Sequence, residues 1–228
     1  MMKQVHSVAI DGPAGAGKST IARRAAAELG FIYMDTGAIY RTVAYGVLGA
    51  GLDPHDDGAV SAYLSTVHIV PTWDTEGKQH MLLDGEDVTA YIRSPEVSQN
   101  ASVVAAIARV RDLLLETQRS VAREYSVIMD GRDIGTVVLP KADVKIFLTA
   151  SAEVRAKRRW LELQQKGAPD TYDQVLEEMI RRDLRDSQRE TCPLRQAEDA
   201  ILLDTSDMDL EESISRVVQL VRETVTNG

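Results

Sequence analysis

The 228-residue sequence has one cysteine, Cys192, and four scattered histidines, His6, His55, His68 and His80. A single cysteine excludes an internal disulfide, and the histidines lack the spacing of metal ligands. This composition indicates a reducing compartment and argues against a structural zinc site. Because no long apolar run and no signal-peptide pattern is present, we expect a cytoplasmic protein that does not bind membranes.

Positive charge is also in short supply. Lysine and arginine number 26 against 35 aspartates and glutamates, for a net charge of −9. Nucleic acids and anionic membranes are bound by a surplus of cations, so this balance argues against both as general partners. The length predicts one α/β domain with room for an inserted subdomain.

Residues 11–20 have the sequence DGPAGAGKST, in which a glycine is followed after four residues by Gly-Lys-Ser. Its glycines let successive N–H groups point into one concavity around a phosphate. An apolar run at 5–10 predicts a buried strand before the loop. Residues 19–29 predict a helix after it, whose N-terminal dipole favours an anion. A plain glycine-rich turn is the alternative interpretation. The predicted phosphate-binding loop comprises Gly12, Pro13, Ala14, Gly15, Ala16, Gly17, Lys18, Ser19 and Thr20.

This loop pattern carries defined chemistry. Lys18 is expected to reach the β- and γ-phosphates of ATP, and the Ser19 hydroxyl to ligate Mg²⁺. Residues 126–129 predict a further strand that ends in Asp130. An acid at such a strand tip is typical of enzymes that orient magnesium or its water, although a turn-forming aspartate is the alternative.

A second strand–loop–helix unit follows the first. Residues 31–34 predict a strand, and 38–48 a helix that carries Arg41 in its first turns. Polar residues at the carboxyl end of a strand lie where open α/β sheets bind ligands. Arg41 could therefore bind a second anion, or it could be a solvated side chain on the helix surface.

The middle of the chain changes character. Residues 49–60 predict a connection, and short strands are predicted at 67–70, 79–83 and 86–88, with a tight turn at Asp84-Gly85. These strands indicate a small antiparallel insert. Pro95 begins a helix predicted to continue to about Tyr125, on which Ser102, Arg109 and Arg111 lie off the buried stripe and are either solvated or functional.

The last third predicts a strand at 144–148, a helix from 152 to about 165, a helix over 172–189, a strand at 200–203 and a helix at 210–225. In the first of these helices, Arg155, Arg158 and Arg159 share one face. In the next, Arg182, Asp186 and Arg189 form a stripe, which is either an anion site or a solvated ladder of ion pairs.

Several arginines in these segments could face the same sheet edge, which would suit a second phosphorylated ligand. A phosphate acceptor has a second pKa of about 6 and needs no catalytic base at neutral pH. No histidine occurs in these motifs, which agrees with that chemistry. Catalysis would then depend on alignment and on cations around the transferred group, with the helical pair near 155–189 closing as a lid.

Four motifs together resemble bacterial cytidylate kinases: DGPxGxGKST at 11–20, DTGxxYR at 35–41, DGRDIGTVV at 130–138 and RDxxDxxR at 182–189. The resemblance covers nearly the whole chain. It implies a P-loop NTPase fold, with a parallel sheet flanked by helices, a small antiparallel β insert and a short helical lid. We expect one kinase domain over 1–228, with a core at 1–60 and 100–228, an insert at about 61–99 and a lid at about 155–170.

The resemblance also implies transfer of the γ-phosphoryl group of ATP to CMP or dCMP, with Mg²⁺ as cofactor, in a monomer. Its catalytic residues would be Lys18, Arg132, Arg182 and Arg189, and its metal site Ser19 with Asp130 through water. ATP would also contact Arg155 and Arg159. The acceptor would be bound by Thr36, Arg41, Ser102, Arg111, Arg132, Asp133, Arg182, Asp186 and Arg189.

Other readings of the loop remain open from the residues alone. A nucleotide-driven switch would need a guanine-reading Asn-Lys-x-Asp motif, yet neither Asn100 nor Asn227 is followed by lysine. A kinase for a small metabolite would need a base and fewer arginines. A kinase for a different nucleoside monophosphate is a further alternative. The chain also has Ala108 where similar proteins often have proline, which affects local rigidity.

Overall fold

A computed structural model describes residues 5–226 of the chain. The strands are β1 (Ser7–Asp11), β2 (Ile32–Asp35), β3 (Ile69–Trp73), β4 (Gln79–Leu83), β5 (Glu86–Asp87), β6 (Val127–Gly131), β7 (Val144–Thr149) and β8 (Ile201–Asp204). The helices are α1 (Lys18–Leu29), α2 (Thr36–Gly49), α3 (Asp57–Leu64), α4 (Pro95–Val104), α5 (Ala108–Glu124), α6 (Ala152–Gln165), α7 (Tyr172–Gln188) and α8 (Leu210–Thr226).

Five parallel strands form the central sheet, in the order β2-β6-β1-β7-β8. The three inner strands are rich in valine, isoleucine and methionine, which suits burial on both faces. Helices α1 and α8 cover one face, and α2, α4 and α5 cover the other. This arrangement brings the loops that follow β1, β2 and β6 to one edge of the sheet. The predicted α/β class with a parallel sheet is confirmed.

The predicted antiparallel insert is present as the three-stranded sheet β3-β4-β5. Strands β3 and β4 pair from Ile69 with Leu83 to Trp73 with Gln79. Asp84 and Gly85 turn the chain with positive φ angles of 50° and 85°, as the hairpin pattern predicts. The first of these strands, β3, lies at 69–73 instead of the predicted 67–70, so the turn between β3 and β4 begins after Trp73.

Helices α6 and α7 form an antiparallel hairpin. Each begins at a side-chain cap, Ser151 for α6 and Thr171 with Gln174 in a capping box for α7. Their contact is a small separate core around Ala156, Val175 and Met179. The predicted lid segment, 155–170, therefore comprises most of α6 and the connection to α7. Among the helices in residues 5–226, none is long and apolar enough to cross a membrane.

Two predicted elements are wrong in detail. The segment 49–60 is not wholly a connection, because α3 starts within it at Asp57, where Asp56 accepts a hydrogen bond from the Ala59 N–H. The single helix predicted from Pro95 to Tyr125 is two helices, interrupted at residues 105–107. A short π-helical turn, Ile134–Val138, was also not predicted.

Candidate active site

The loops at the carboxyl edge of the sheet surround one cleft of about 350 Å³. Most of the predicted site residues line it. From the loop after β1 these are Ala14, Gly15, Ala16, Gly17, Lys18, Ser19 and Thr20; from the rest of the chain they are Thr36, Arg41, Ser102, Arg111, Asp130, Arg132, Asp133, Arg182, Asp186 and Arg189.

The loop between β1 and α1 is shaped by its glycines. Gly12 has a φ of 150°, and a Cβ there would lie 1.9 Å from the carbonyl oxygen of Leu148, so the loop passes β7 too closely for any side chain. A Cβ at Gly15 would lie 2.8 Å from Cε of Met179 on α7. The α6–α7 hairpin therefore packs directly on the loop.

Lys18 is buried at the start of α1, and its Nζ donates a 2.7 Å hydrogen bond to the carbonyl of Pro13. Burial lowers the pKa of Lys18 to about 7, and the nearby Arg132 acts in the same direction. A phosphate in the loop would favour the charged form of this amine. The Lys18 side chain thus reaches back across the loop to Pro13, and an anion bound in the loop would restore the full charge of its amine.

Asp130 lies at the tip of β6, as predicted, and is tied to two hydroxyl groups. Ser19 Oγ donates to one carboxylate oxygen at 2.9 Å, and the Tyr33 hydroxyl donates to the other at 2.7 Å. Burial raises the pKa of Asp130, and the nearby Asp35 adds to this rise. Within residues 5–226, no group of three or more histidine, cysteine, aspartate or glutamate side chains is arranged to hold a metal.

Opposite the loop, two buried carboxylates each face an arginine from another segment. Arg132 Nε lies 2.7 Å from an oxygen of Asp186 on α7. Asp133 is paired with Arg111 from α5 and lies 3.5 Å from Arg189 Nη2. The predicted stripe on α7 is therefore part of the cleft and not a solvated ladder.

The charges of this network support one another. Burial alone would raise the pKa of Asp186, but Arg132 and Arg182 hold it below its usual range. Arg182 itself has no ion-pair partner among the described residues, and its buried Nε has no hydrogen-bond acceptor. Burial lowers the pKa of Arg182, with Arg132 acting in the same direction. The cleft thus contains a half-buried arginine with a buried N–H group that no acceptor satisfies.

Arg41 also faces the cleft. It donates to Asp35 at 2.6 Å, while its buried Nε has no acceptor. Ser102 lines the cleft, and no hydrogen bond engages its hydroxyl within the described part of the chain. The Thr36 hydroxyl instead donates to the carbonyl of Asp130, which fixes the ends of β2 and β6 together. Arg109, in contrast, is exposed on α5.

Arg155, Arg158 and Arg159 lie within little more than one turn of α6, but their side chains contact three different places. Arg155 is buried, and its Nη1 lies 2.9 Å from the carbonyl of Ala14 and 2.8 Å from Asp183. Arg158 donates to the backbone carbonyl of Thr205. Arg159 is half exposed and pairs with Glu162 within its own helix. Neither Arg155 nor Arg159 is among the described residues that line the cleft.

Asp11 was missed by the sequence analysis, although it is the first residue of the recognised motif. Its carboxylate accepts the backbone N–H groups of Ile134 at 2.8 Å and Gly135 at 2.7 Å. Burial raises its pKa to about 6. Asp11 thus joins the phosphate-binding loop to the segment that carries Arg132 and Asp133.

The interruption between α4 and α5 at residues 105–107 also helps to position a side chain of the cleft, Arg111. It leaves the carbonyl of Ala105 free to accept a 3.1 Å hydrogen bond from Arg111 Nη1. The Arg111 guanidinium additionally lies over the ring of Tyr40, with Cζ 5.4 Å from the ring centroid. Three contacts, including the pair with Asp133, orient this buried arginine.

Comparison with known proteins agrees with the motifs. The family model described as cytidylate kinase matches residues 8–223. A cytidylate kinase from Caldicellulosiruptor bescii is 50% identical, over 99% of this chain and 99% of its own length. A cytidylate kinase from an Exiguobacterium species is 48% identical, over 97% of this chain and 99% of its own length.

Among solved structures, an uncharacterized protein from Eubacterium ventriosum is similar in fold, with a TM-score of 0.53 over 96% of this chain and 99% of its own, at 13% identity. The sequence relatives span the loop, the insert and the arginine-bearing helices alike. From the family model and the near full-length identities, the chain belongs to the cytidylate kinase family.

Proposed function

We propose that this protein transfers the γ-phosphoryl group of ATP to CMP or dCMP and releases ADP with CDP or dCDP. The observation that carries this proposal is a single cleft that joins a phosphate-binding loop to Arg182, a half-buried arginine whose buried Nε has no hydrogen-bond acceptor. Membership of the cytidylate kinase family supplies the substrate class. A role in pyrimidine nucleotide metabolism in the cytoplasm, as a monomer, is part of the proposal.

On the donor side, the backbone of residues 12–20 would hold the β- and γ-phosphates, with Lys18 neutralising their charge. The Ser19 hydroxyl and the Asp130 carboxylate are hard oxygen ligands, a set that fits Mg²⁺, with Asp130 acting through water. When bound, that ion supplies charge neutralisation at the phosphate oxygens. Ser19 and Asp130 already lie within hydrogen-bond distance, so the site needs little rearrangement.

On the acceptor side, Arg41, Arg132 and Arg182 would bind the acceptor phosphate. The unpartnered Nε atoms of Arg41 and Arg182 support this role, because a buried donor without an acceptor is costly and an incoming phosphate oxygen would satisfy it. The acceptor phosphate is itself the nucleophile. Since it is mostly dianionic at neutral pH, no side chain has to remove a proton.

Base recognition is assigned to Asp133, Arg111 and Ser102. Cytosine presents an amino donor and two acceptors, which a carboxylate, a guanidinium and a hydroxyl can match. Asp186 and Arg189 would contact the pentose, and Thr36 remains a proposed acceptor-site residue. Because Arg111 and Asp133 are already paired, the base would meet polar groups whose positions are fixed before it binds.

The α6–α7 hairpin would close over both nucleotides, with Arg155 and Arg159 approaching ATP. Closure would exclude water and so limit hydrolysis of ATP. Arg155 is the better supported of the two, since its guanidinium already contacts the loop carbonyl of Ala14.

The test is ADP formation from ATP and Mg²⁺, measured in parallel with CMP, dCMP, UMP, AMP, dTMP, shikimate and no acceptor. We expect strong turnover only with CMP and dCMP; any turnover with UMP should be much slower. Strong turnover with another acceptor would overturn the base assignments and retain the loop chemistry. Equal turnover without any acceptor would make the protein an ATPase.

A further inference from the structure

The insert contacts the central sheet through side chains that bind the free edge of β2. This strand pairs with β6 on one side, so its other edge has unpaired backbone groups. Trp73 Nε1 donates to the carbonyl of Tyr33 at 2.8 Å. Gln79 Oε1 accepts the Asp35 N–H at 2.7 Å, and Gln79 Nε2 lies 3.4 Å from the Asp35 carbonyl.

Trp73 and Gln79 are partners across the β3–β4 pair, so one point of the insert supplies both contacts. Buried backbone groups at a sheet edge require such partners. The insert therefore fixes the backbone of β2 at its carboxyl end, where the acceptor side of the cleft begins.

The Asp35 side chain connects the same point to the cleft. One carboxylate oxygen caps α2 by accepting the Ala38 N–H, and the other lies 2.6 Å from Arg41 Nη2 and 3.2 Å from Arg93 Nη2. Arg41 lies inside the cleft, whereas Arg93 belongs to the segment that links the insert to α4. Asp35 is 9% exposed at its side chain and Arg93 is 60% exposed.

This carboxylate needs both cations. Burial alone would raise the pKa of Asp35, but Arg41 and Arg93 hold it below its usual range. If Arg41 turns toward an acceptor phosphate, Asp35 loses its nearer partner. Arg93 then remains to compensate a buried negative charge, which would otherwise oppose the arrival of a second anion.

We infer that Arg93 and Gln79 are positioning residues for acceptor binding, which act on Arg41 through Asp35 and contact neither nucleotide. This inference rests on the proposed function, since it concerns the phosphate acceptor. Neither residue is among the described residues that line the cleft. Both instead line a neighbouring cavity of about 480 Å³ beneath the insert.

The mechanism predicts an effect on one substrate. Loss of Arg93 leaves Asp35 to compete with the acceptor phosphate for Arg41, so CMP binding weakens. The phosphate-binding loop does not contact Asp35 through any hydrogen bond or ion pair among the described residues, so ATP binding is expected to stay unchanged. If the role of Arg93 were merely structural, its loss would instead weaken the binding of both nucleotides or lower the melting temperature.

The experiment compares Arg93→Gln with Lys78→Gln, which removes the same charge from an exposed side chain of the same insert. Calorimetric dissociation constants for CMP alone and for ATP with Mg²⁺ are measured, together with KM for both substrates and the melting temperature. For Arg93→Gln we expect the CMP dissociation constant to rise about tenfold, because that factor corresponds to the contribution of one hydrogen bond to a charged group. Lys78→Gln should leave it unchanged.

Two further variants test the geometry. Arg93→Lys keeps the charge and should recover most of the lost CMP affinity. Gln79→Met keeps the side-chain size, removes both contacts with Asp35 and should also weaken CMP binding selectively.

The inference is overturned if Arg93→Gln behaves like Lys78→Gln, or if Arg93→Gln weakens the binding of CMP and of ATP equally. Failure of the proposed function is distinct from this, because it would appear in the wild-type protein as an absence of CMP binding and turnover.

Discussion

The two halves of the cleft are built in opposite ways. The half that we propose binds the donor comes from one continuous loop, residues 12–20, and offers backbone groups with a single cation, Lys18. The proposed acceptor half is assembled from α2, α4, α5, the segment after β6 and α7, and offers mainly side-chain charges. Apart from Arg182, its arginines are already engaged with carboxylates, as in the pairs Arg41–Asp35 and Arg132–Asp186.

This difference determines how each half responds to a ligand. The loop offers an anion its free N–H groups and gives up little in return. The acceptor half must exchange internal ion pairs for contacts with the nucleotide, so its affinity depends on residues that need not touch the ligand. Substitutions should therefore have local effects on the donor side and transmitted effects on the acceptor side.

The largest effect is expected for Lys18→Met. The variant removes the one buried cation of the loop, so kcat should fall by about 10³-fold or more. The chain should remain folded, because methionine suits a buried site, and circular dichroism with thermal melting checks this. Lys141→Met, at an exposed position, is the control. Unchanged turnover in Lys18→Met would refute the assignment of the loop.

Asp133→Asn tests the acceptor half. The amide keeps the shape but removes the charge that faces Arg111 and Arg189, so kcat/KM for CMP should fall by about 10- to 100-fold. Asp133→Ala should also weaken discrimination between CMP and UMP. KM for ATP should change by no more than about twofold. Asp112→Asn, on the exposed side of α5, is the matched control. An equal loss for ATP would contradict the base-reading role.

The variants Arg155→Gln and Arg159→Gln test whether ATP binding depends on side chains of the proposed lid helix α6. Arg155 is buried between Ala14 and Asp183, so its loss should raise KM for ATP by about tenfold. Arg159 is exposed and its pair with Glu162 is worth little, so the effect should be smaller. Steady-state kinetics at saturating CMP measures both. Equal effects would mean that both arginines move onto ATP in the closed state.

The smallest effect concerns Asp11, which joins the two halves. Its pKa of about 6 in the folded protein exceeds the value of 3.8 expected for an unperturbed aspartate. Between these values the folded state binds more protons than the unfolded state, so this residue's contribution to stability grows as the pH falls. Relative to Asp11→Asn, the wild type should gain on the order of 1 kcal/mol in unfolding free energy from pH 7 to pH 5.

Urea unfolding of both proteins at the two pH values measures this difference and cancels the other titrating groups. A stability difference that does not change with pH would show that Asp11 is ionised throughout and is compensated by the two N–H groups alone.

The donor half could be predicted from sequence because its geometry is local. Lys18 and Ser19 follow the glycines directly, and Asp130 follows the three apolar residues that begin β6. The antiparallel insert could also be predicted, since Asp84-Gly85 favours a tight turn. Each of these depends on neighbours within a few residues along the chain.

The acceptor half could be predicted only as a set of residues, mainly through the family resemblance. Nothing near Arg155 in sequence indicates that Asp183 and the carbonyl of Ala14 bury it. The contact between Gln79 and Asp35 spans 44 positions and joins two sheets. The helix interruption before Ala108 was missed for a similar reason, because the chain there has no glycine or proline and the bond to Arg111 is a tertiary contact.

That interruption has a consequence for altering the base preference of the enzyme. The guanidinium of Arg111 is oriented by the Ala105 carbonyl, which a continuous helix would engage in its own backbone hydrogen bond. Replacing the arginine alone would leave the Ala105 carbonyl without that partner in the wall of the proposed base pocket. A redesign toward another nucleobase has to change the path of the backbone at residues 105–107 together with the side chain, so single substitutions at this position should give weak enzymes with little new selectivity.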